Sequence, residues 1–320
     1  MHEGMEEHQR LWSVILAGGE GKRVRPFIRR WLGRPKPKQY CAFVGTRSML
    51  QHTVDRADQL TSPARRIIVT KKAHDRRGWL QLPGRPLGTV IRQPCDRGTA
   101  AGIFLPLTYV RAQDPGATVV IYPSDHFIYP EKPFLESVRQ AVHAVEIMPD
   151  HLVLLGVAPN RLDSEYGWIW PKEKQTFTPE VTVRSVERFQ EKPAAEQACA
   201  AMASGAFWNT FVFAAKVEII WELGWRYVPE VMRLFEQLGD GLGLAIESAM
   251  MEILYRVMPV RNFSSDLLAR AADQIAMVEL KGVVWSDWGK PGRIADTVAR
   301  LGIKPAFPFK CLTPRGHAAG

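Results

Sequence analysis

Asp125 directly follows a continuous apolar run, Thr118-Val119-Val120-Ile121-Tyr122, inside the quartet Pro123-Ser124-Asp125-His126. Such a run predicts a parallel strand buried on both faces. Open α/β sheets place their chemistry at the carboxyl ends of central strands. Magnesium takes one or two carboxylates and completes its shell with substrate phosphates and water, so Asp125 reads as a first metal ligand. Asp287 also ends an apolar run, Val283-Val284-Trp285-Ser286, and the expectation is that the two aspartates meet. A phosphate partner is suggested by Leu16-Ala17-Gly18-Gly19-Glu20-Gly21-Lys22-Arg23-Val24-Arg25-Pro26. Glycines leaving a strand can turn tightly and bring bare N–H groups against an anion. Lys22, Arg23 and Arg25 add positive charge at the same place, and the expected ligand is a polyphosphate.

This stretch is not a Walker loop, which needs Gly, four residues, Gly-Lys and then Ser or Thr. Leu16 stands where the first Gly would be, and Arg23 follows Lys22. A dinucleotide fingerprint needs Gly or Ala where this chain has Val24. Downstream, Pro35-Lys36-Pro37-Lys38-Gln39 gives Lys38 a defined reach, because alternate prolines hold the chain extended; the whole segment 29–39 reads as an extended basic loop.

The elements that must position these groups follow from apolar patterning. Residues 12–16, 67–70, 89–91, 118–122 and 152–157 read as strands. Ser48 and Gln51 form a capping box opening a helix to about residue 60. Helices are expected over 71–80, 99–110, 133–148, 194–204 and 291–301, and the amphipathic region 217–258 is helical. Residues 164–169 and 181–189 read as exposed, partly antiparallel strands bracketing a loop with Lys172, Glu173 and Lys174. Ser264-Ser265-Asp266 reads as a helix cap. The expected organisation is an N-terminal tail (1–10), one domain (11–301) in two halves (11–157 and 158–301), and a C-terminal tail (302–320).

The net charge is +9 over 320 residues. Nine basic residues and no acid lie between Gly21 and Val54, so the excess sits beside the glycine loop and the remainder is neutral. One concentrated basic segment suits a triphosphate and a sugar phosphate and lowers a nucleic-acid reading. The four cysteines, Cys41, Cys95, Cys199 and Cys311, form no CxxC pair. That argues against a zinc site or disulfide framework and suits a reducing cytoplasm. No apolar run approaches a membrane span, and the polar, acidic first ten residues are unlike a signal peptide.

Taken together, the motifs resemble the sugar-phosphate nucleotidyltransferases. The glycine loop is similar to that family's Gly-x-Gly-Thr-Arg-x-x-Pro, with Lys22 in place of Thr. Pro37-Lys38-Gln39, Pro123-Ser124-Asp125-His126, Phe189-Gln190-Glu191-Lys192-Pro193, Trp208-Asn209 and Trp285-Ser286-Asp287-Trp288-Gly289 follow in the family's order. The resemblance implies a Rossmann-like (glycosyltransferase-A-like) α/β fold, a mixed, mainly parallel sheet flanked by helices; residues 303–320 show no hexapeptide repeat, so the C-terminal β-helix of many relatives is not expected. It implies transfer of a nucleotidyl group to a sugar 1-phosphate with release of pyrophosphate. Arg23 and Lys38 would balance the phosphates, and Asp125 and Asp287 would hold Mg²⁺. Leu16, Ala17, Gly18, Gly19, Gly21, Lys22, Gln93, Gly98 and Thr99 would bind the nucleotide. Tyr166, Gly167, Glu191, Lys192 and Asn209 would bind the sugar phosphate, which makes 11–157 a nucleotide-binding half and 158–301 a sugar-binding half. The branch resembled is mannose-1-phosphate guanylyltransferase, so the expected partners are GTP and mannose 1-phosphate, with a homodimer allowed and neither nucleic acid nor membrane. Arg97-Gly98-Thr99-Ala100-Ala101 departs from that branch's Glu-Asn-Thr-Ala-Pro, and Thr210-Phe211 stands for Ser-Gly, which would narrow the sugar pocket. A glucose-1-phosphate enzyme using UTP or dTTP, and a non-catalytic nucleotide-sugar sensor of the same fold, are the alternatives. Removing either aspartate's charge should reduce turnover far more than stability.

Overall fold

A computed structural model describes residues 10–74, 82, 84, 86–178 and 181–312. Its centre is a sheet of nine strands: β1 (Leu11–Leu16), β2 (Arg66–Lys71), β3 (Thr89–Gln93), β4 (Thr118–Pro123), β6 (Leu152–Val157), β7 (Gly167–Thr178), β8 (Val181–Glu191), β9 (Phe207–Lys216) and β10 (Ile275–Glu279). Their spatial order is β3-β2-β1-β4-β9-β6-β10-β8-β7. β3, β2, β1 and β4 pair in parallel, as do β6 and β10. β9 runs antiparallel between β4 and β6. Strand β6, from the first half of the chain, is therefore enclosed by strands from the second. A separate ribbon pairs β5 (Phe127–Tyr129) with β11 (Val284–Ser286) antiparallel.

Alternating side chains divide the sheet's burial between two faces. Trp12, Val14, Val119 and Ile121 pack with Ile103, Phe104 and Leu107 of α3 (Gly98–Gln113) and with the 217–258 helices. Leu11, Ile15, Val120 and Tyr122 face α2 (Met49–Ala57), α4 (Glu131–Ile147) and α5 (Ala195–Ala203). The region 217–258 is three helices, α6 (Val217–Tyr227), α7 (Pro229–Asp240) and α8 (Glu247–Val257). No helix among the described residues is long and apolar enough to cross a membrane, and no β-helix occurs among them. The four cysteines are free thiols. Burial pushes the Cys41 thiol up to about 12.

Several expectations are corrected. The segment 29–39 is not extended throughout: α1 (Arg25–Leu32) is a helix, started by Pro26 in its first turn and ended by Gly33 at φ 70. Residues 172–174 are not a loop but part of the outer strand β7, where Lys174 pairs with Arg184 of β8; β8 itself is not exposed as expected, since it also pairs with β10 and buries Val181, Val183, Val186 and Phe189. From residue 172 to 178 every position of β7 is exposed, so charge does not interrupt it. Residues 164–166 precede the strand rather than open it. Of the helix expected over 71–80, Lys72–His74 is a single 3-10 turn, and residues 75–81 lie outside the described ones. The cap near 264 is Asn262, whose side chain accepts from Ser264 N and Ser265 N, and Phe263–Leu267 forms a π turn. The stretch after 302 is no free tail as far as Leu312. Pro305 bridges to Val44, and Phe307 is buried with Phe27, Trp31 and Phe43 beneath α1 and α9 (Pro291–Arg300). Residues 313–320 lie outside the described ones.

Candidate active site

The glycine loop leaves β1 and is held from below by Gln39. Its Nε2 donates to the carbonyls of Ala17 and Gly19, both at 2.7 Å. Gly21 sits at φ 58, and a Cβ there would stand 2.9 Å from Lys38 Cβ. Only glycine lets the loop lie against Lys38 in this way. Gln39→Leu is expected to free two carbonyl acceptors and destabilise the fold by about 1–3 kcal/mol. A fall in the urea midpoint together with weaker triphosphate binding would check it; unchanged binding would show that the loop holds its shape alone.

Lys38, with its side chain 5% exposed, reaches under the cleft. Its Nζ lies 2.9 Å from Asp125 Oδ2 and also donates to the backbone carbonyl of Asp287. The two aspartates therefore meet around one ammonium. They are brought there by the small ribbon, since Asp125 lies just before β5 and Asp287 just after β11. Burial works against ionisation of both carboxyls. At Asp125 this is outweighed by Lys38 and then His126, and at Asp287 by Lys38, Arg293 and the Gly289 N–H. Both are held below the ordinary carboxylate range.

Asp287 is more than a metal-ligand candidate. Its Oδ1 accepts from the Tyr166 hydroxyl at 2.9 Å, Gly289 N at 2.9 Å and Arg293 at 2.7 Å, while Oδ2 accepts from Arg293 at 2.9 Å and Arg23 at 3.4 Å. Arg293, on α9, also binds Asp163 at 2.7 Å and Glu165 at 2.8 Å, and its guanidinium lies 4.4 Å from the centre of the Tyr166 ring. Glu165 in turn binds Arg23 at 2.7 Å and Lys290 at 2.9 Å. Because the folded Asp287 titrates below its unfolded value, it stabilises the protein above the ordinary aspartate pKa of about 3.9. That stability is lost as the pH falls from there through the folded value. Denaturant midpoints measured below about pH 4 should decline less steeply in Asp287→Asn than in the wild type; parallel acid limbs would contradict the assignment.

A cleft of about 320 Å³ joins Leu16, Gly19, Arg23, Thr99, Asp125, Tyr166, Gly167, Glu191, Lys192, Asn209 and Asp287. Eleven of the expected site residues thus share one volume, and Lys38 lies beneath it. The others stand apart from it. Ala17 is buried. Gly18 packs against Gln93 and Lys71. The Gln93 amide donates to the Tyr255 hydroxyl at 3.1 Å. Lys22 is an exposed partner of Glu20 at 3.9 Å. Gly98, at φ 83 against the Arg261 carbonyl, gives its N–H to Asp96 at 3.0 Å, so that donor serves the loop rather than a ligand. Even Thr99, inside the cleft, accepts from Phe263 N at 2.8 Å. Glu191 and Lys192 pair with each other at 2.9 Å.

Sequence reasoning missed Arg293, Asp163, Glu165, Gln39 and Lys71. Gln39 stood inside a quoted motif. Buried Lys71, which binds Asp96 at 2.9 Å and Glu20 at 3.4 Å, closes β2, whereas the apolar pattern ended that strand at Thr70 and began a helix at 71. No local signal marked the other three. Among the described residues no group of three or more His, Cys, Asp or Glu could hold a metal. Two ionised carboxylates in one cleft still fit an ion that draws its remaining ligands from phosphates and water.

Residues 12–301 match the nucleotidyl transferase family. Mannose-1-phosphate guanylyltransferase ManC of Salmonella typhimurium is 27% identical over 292 residues, which cover 88% of this chain and 58% of that protein. A mannose-1-phosphate guanylyltransferase of Escherichia coli is 31% identical over 250 residues, covering 75% of this chain and 48% of the relative. The chain thus spans about half the length of these curated relatives. The crystal structure of mannose-1-phosphate geranyltransferase from Thermus thermophilus superposes with a TM-score of 0.75 at 22% identity, over 89% of this chain and 79% of that one. At that identity the superposition speaks to the fold alone. The chain belongs to the nucleotidyl transferase family.

Proposed function

We propose that this protein transfers a nucleotidyl group from a nucleoside triphosphate to a sugar 1-phosphate, with GTP and mannose 1-phosphate as the pair, forming GDP-mannose and pyrophosphate. The observation that carries this reading is the single cleft in which Arg23, Asp125 and Asp287 face Tyr166, Glu191, Lys192 and Asn209. An oxygen of the sugar phosphate attacks the α-phosphorus of the triphosphate. The new P–O bond forms as the bond to the β-phosphate oxygen breaks, and pyrophosphate leaves with that electron pair. The acceptor is already an anion, so no strong base is required, and catalysis is alignment plus charge neutralisation. Arg23 and Lys38 counter the triphosphate and the departing pyrophosphate. Glu191 accepts hydrogen bonds from sugar hydroxyls, Lys192 offers its ammonium to the sugar's phosphate, and Asn209 fixes the ring. Asp125 and Asp287 would hold Mg²⁺, which when bound supplies positive charge at the reacting phosphate.

The test is pyrophosphate release with Mg²⁺ across four nucleoside triphosphates, each with mannose 1-phosphate and with glucose 1-phosphate. Release with GTP and mannose 1-phosphate alone is expected. Release with another pair would keep the mechanism and replace the substrates. Silence from folded protein that still binds a nucleotide sugar would point instead to a sensor.

A further inference from the structure

Phe211 holds a backbone conformation that favours glycine. Its φ is 60, in the middle of β9. Opposite it, Gly156 and Leu154 of β6 pair with Asn209 and Phe213, so β9 uses two more residues than β6 across this step and bulges. Bulges beside a site re-aim side chains. This one is pinned from within: Asn209 Oδ1 accepts from Phe211 N at 3.0 Å, while Thr210 Oγ1 donates to the Leu155 carbonyl at 2.7 Å and accepts from Val212 N at 3.2 Å. The Phe211 ring lies edge to face with Phe213 at 6.2 Å and Phe263 at 6.3 Å, and it lines the cleft with Asn209, Thr99, Asn262 and Ser264. Among the described residues the other non-glycine left-handed positions are Lys192 and Trp288, which directly follow Glu191 and Asp287. Strain of this kind persists where the surroundings over-determine it, and it gathers at ligand sites. A glycine would satisfy the backbone at 211, so what the strain retains is the ring.

We infer that Phe211 determines which sugar 1-phosphate is accepted. The inference rests on the proposed nucleotidyl transfer and deepens it. The ring is a fixed apolar wall next to Asn209. It gives the C–H face of a plain hexose a surface to pack on, and it fills the space that an N-acyl substituent would need. Loss of the ring opens that space without removing a polar contact to the sugar.

The test compares wild type, Phe211→Gly and Phe211→Leu with mannose 1-phosphate and N-acetylglucosamine 1-phosphate. Both kcat/KM and calorimetric affinity are measured for each. A pocket that rejects a substituent by shape discriminates by about 10–200-fold. The expected result is a wild-type preference in that range for the plain hexose, reduced by about 10-fold or more in Phe211→Gly and by less in Phe211→Leu. The change should lie chiefly in KM and affinity for the acetylated sugar. A purely structural role would lower both sugars together and leave the ratio intact, and an unchanged ratio in the folded variants overturns the inference. Phe211→Leu keeps a partly buried apolar side chain and decides the matter if Phe211→Gly does not fold. If no protein releases pyrophosphate but the affinity ratio shifts as stated, the transfer reading fails and the inference stands. Absence of sugar-phosphate binding by wild type and variants alike overturns it.

Discussion

Asp125→Asn is expected to lower nucleotidyl transfer by roughly 10²–10³-fold, the scale of removing one group that stabilises transition-state charge, while costing about 1 kcal/mol of stability. The two effects separate because of where the residue sits. Its side chain is 31% exposed, at the wall of the cleft, with Lys38 at 2.9 Å and His126 at 3.8 Å. An amide in its place still offers an oxygen to that ammonium, so the buried lysine keeps an acceptor. What disappears is the full negative charge with which the proposed site would hold Mg²⁺. Pre-steady-state turnover and thermal melts of the same preparation would measure both quantities, and wild-type turnover would overturn the metal assignment. Asp287→Asn should lose activity on the same scale but not so cleanly. That carboxylate accepts from Tyr166, Gly289, Arg23 and Arg293, so charge removal is expected to spare stability at Asp125 and not at Asp287.

Arg293→Met is expected to be the most destabilising single change in the site, at about 3–5 kcal/mol. Removing one member of a buried ionic cluster leaves its partners charged and unpaired. Here the partners are Asp163, Asp287 and part of the Glu165 site, around a side chain only 6% exposed. The distances of 2.7–2.9 Å describe a guanidinium whose two terminal nitrogens divide the carboxylates, one to Asp287 and the other to Asp163 and Glu165. An ammonium is a single point and cannot span them, so Arg293→Lys should recover no more than a fraction of the loss. Urea midpoints of the two variants against wild type would check both statements; a midpoint near wild type for Arg293→Met would mean that the cluster is worth little.

The buried parallel strands were legible because burial on both faces writes a continuous apolar run, as in Val119-Val120-Ile121 and Leu152-Val153-Leu154-Leu155. Strand β7 was not, because its outer part is wet on both faces and its charges have no burial pattern to betray them. The cap near 264 was misplaced because Ser and Asn are equally good N-caps, and only the fold shows which side chain turns inward. The candidate site divides in the same way. Asp125, Lys38 and Glu191 lie in short motifs that a single window of sequence contains. Arg293 depends on acids from the 163–165 turn and from the end of β11, and no window of sequence contains that relation. The order of strands was equally hidden, since nothing in β9 announces that it will lie between β4 and β6.

That interleaving has a practical outcome for anyone wishing to cut the molecule. A chain divided in the 158–166 connection would yield one piece whose β4 and β6 have no strand between them and another whose β9 has lost both of those neighbours. Neither could close its backbone hydrogen bonds alone. The two fragments should therefore refold only as a pair, and their reassembly in solution would serve as a reporter of proximity between any two proteins to which they are fused.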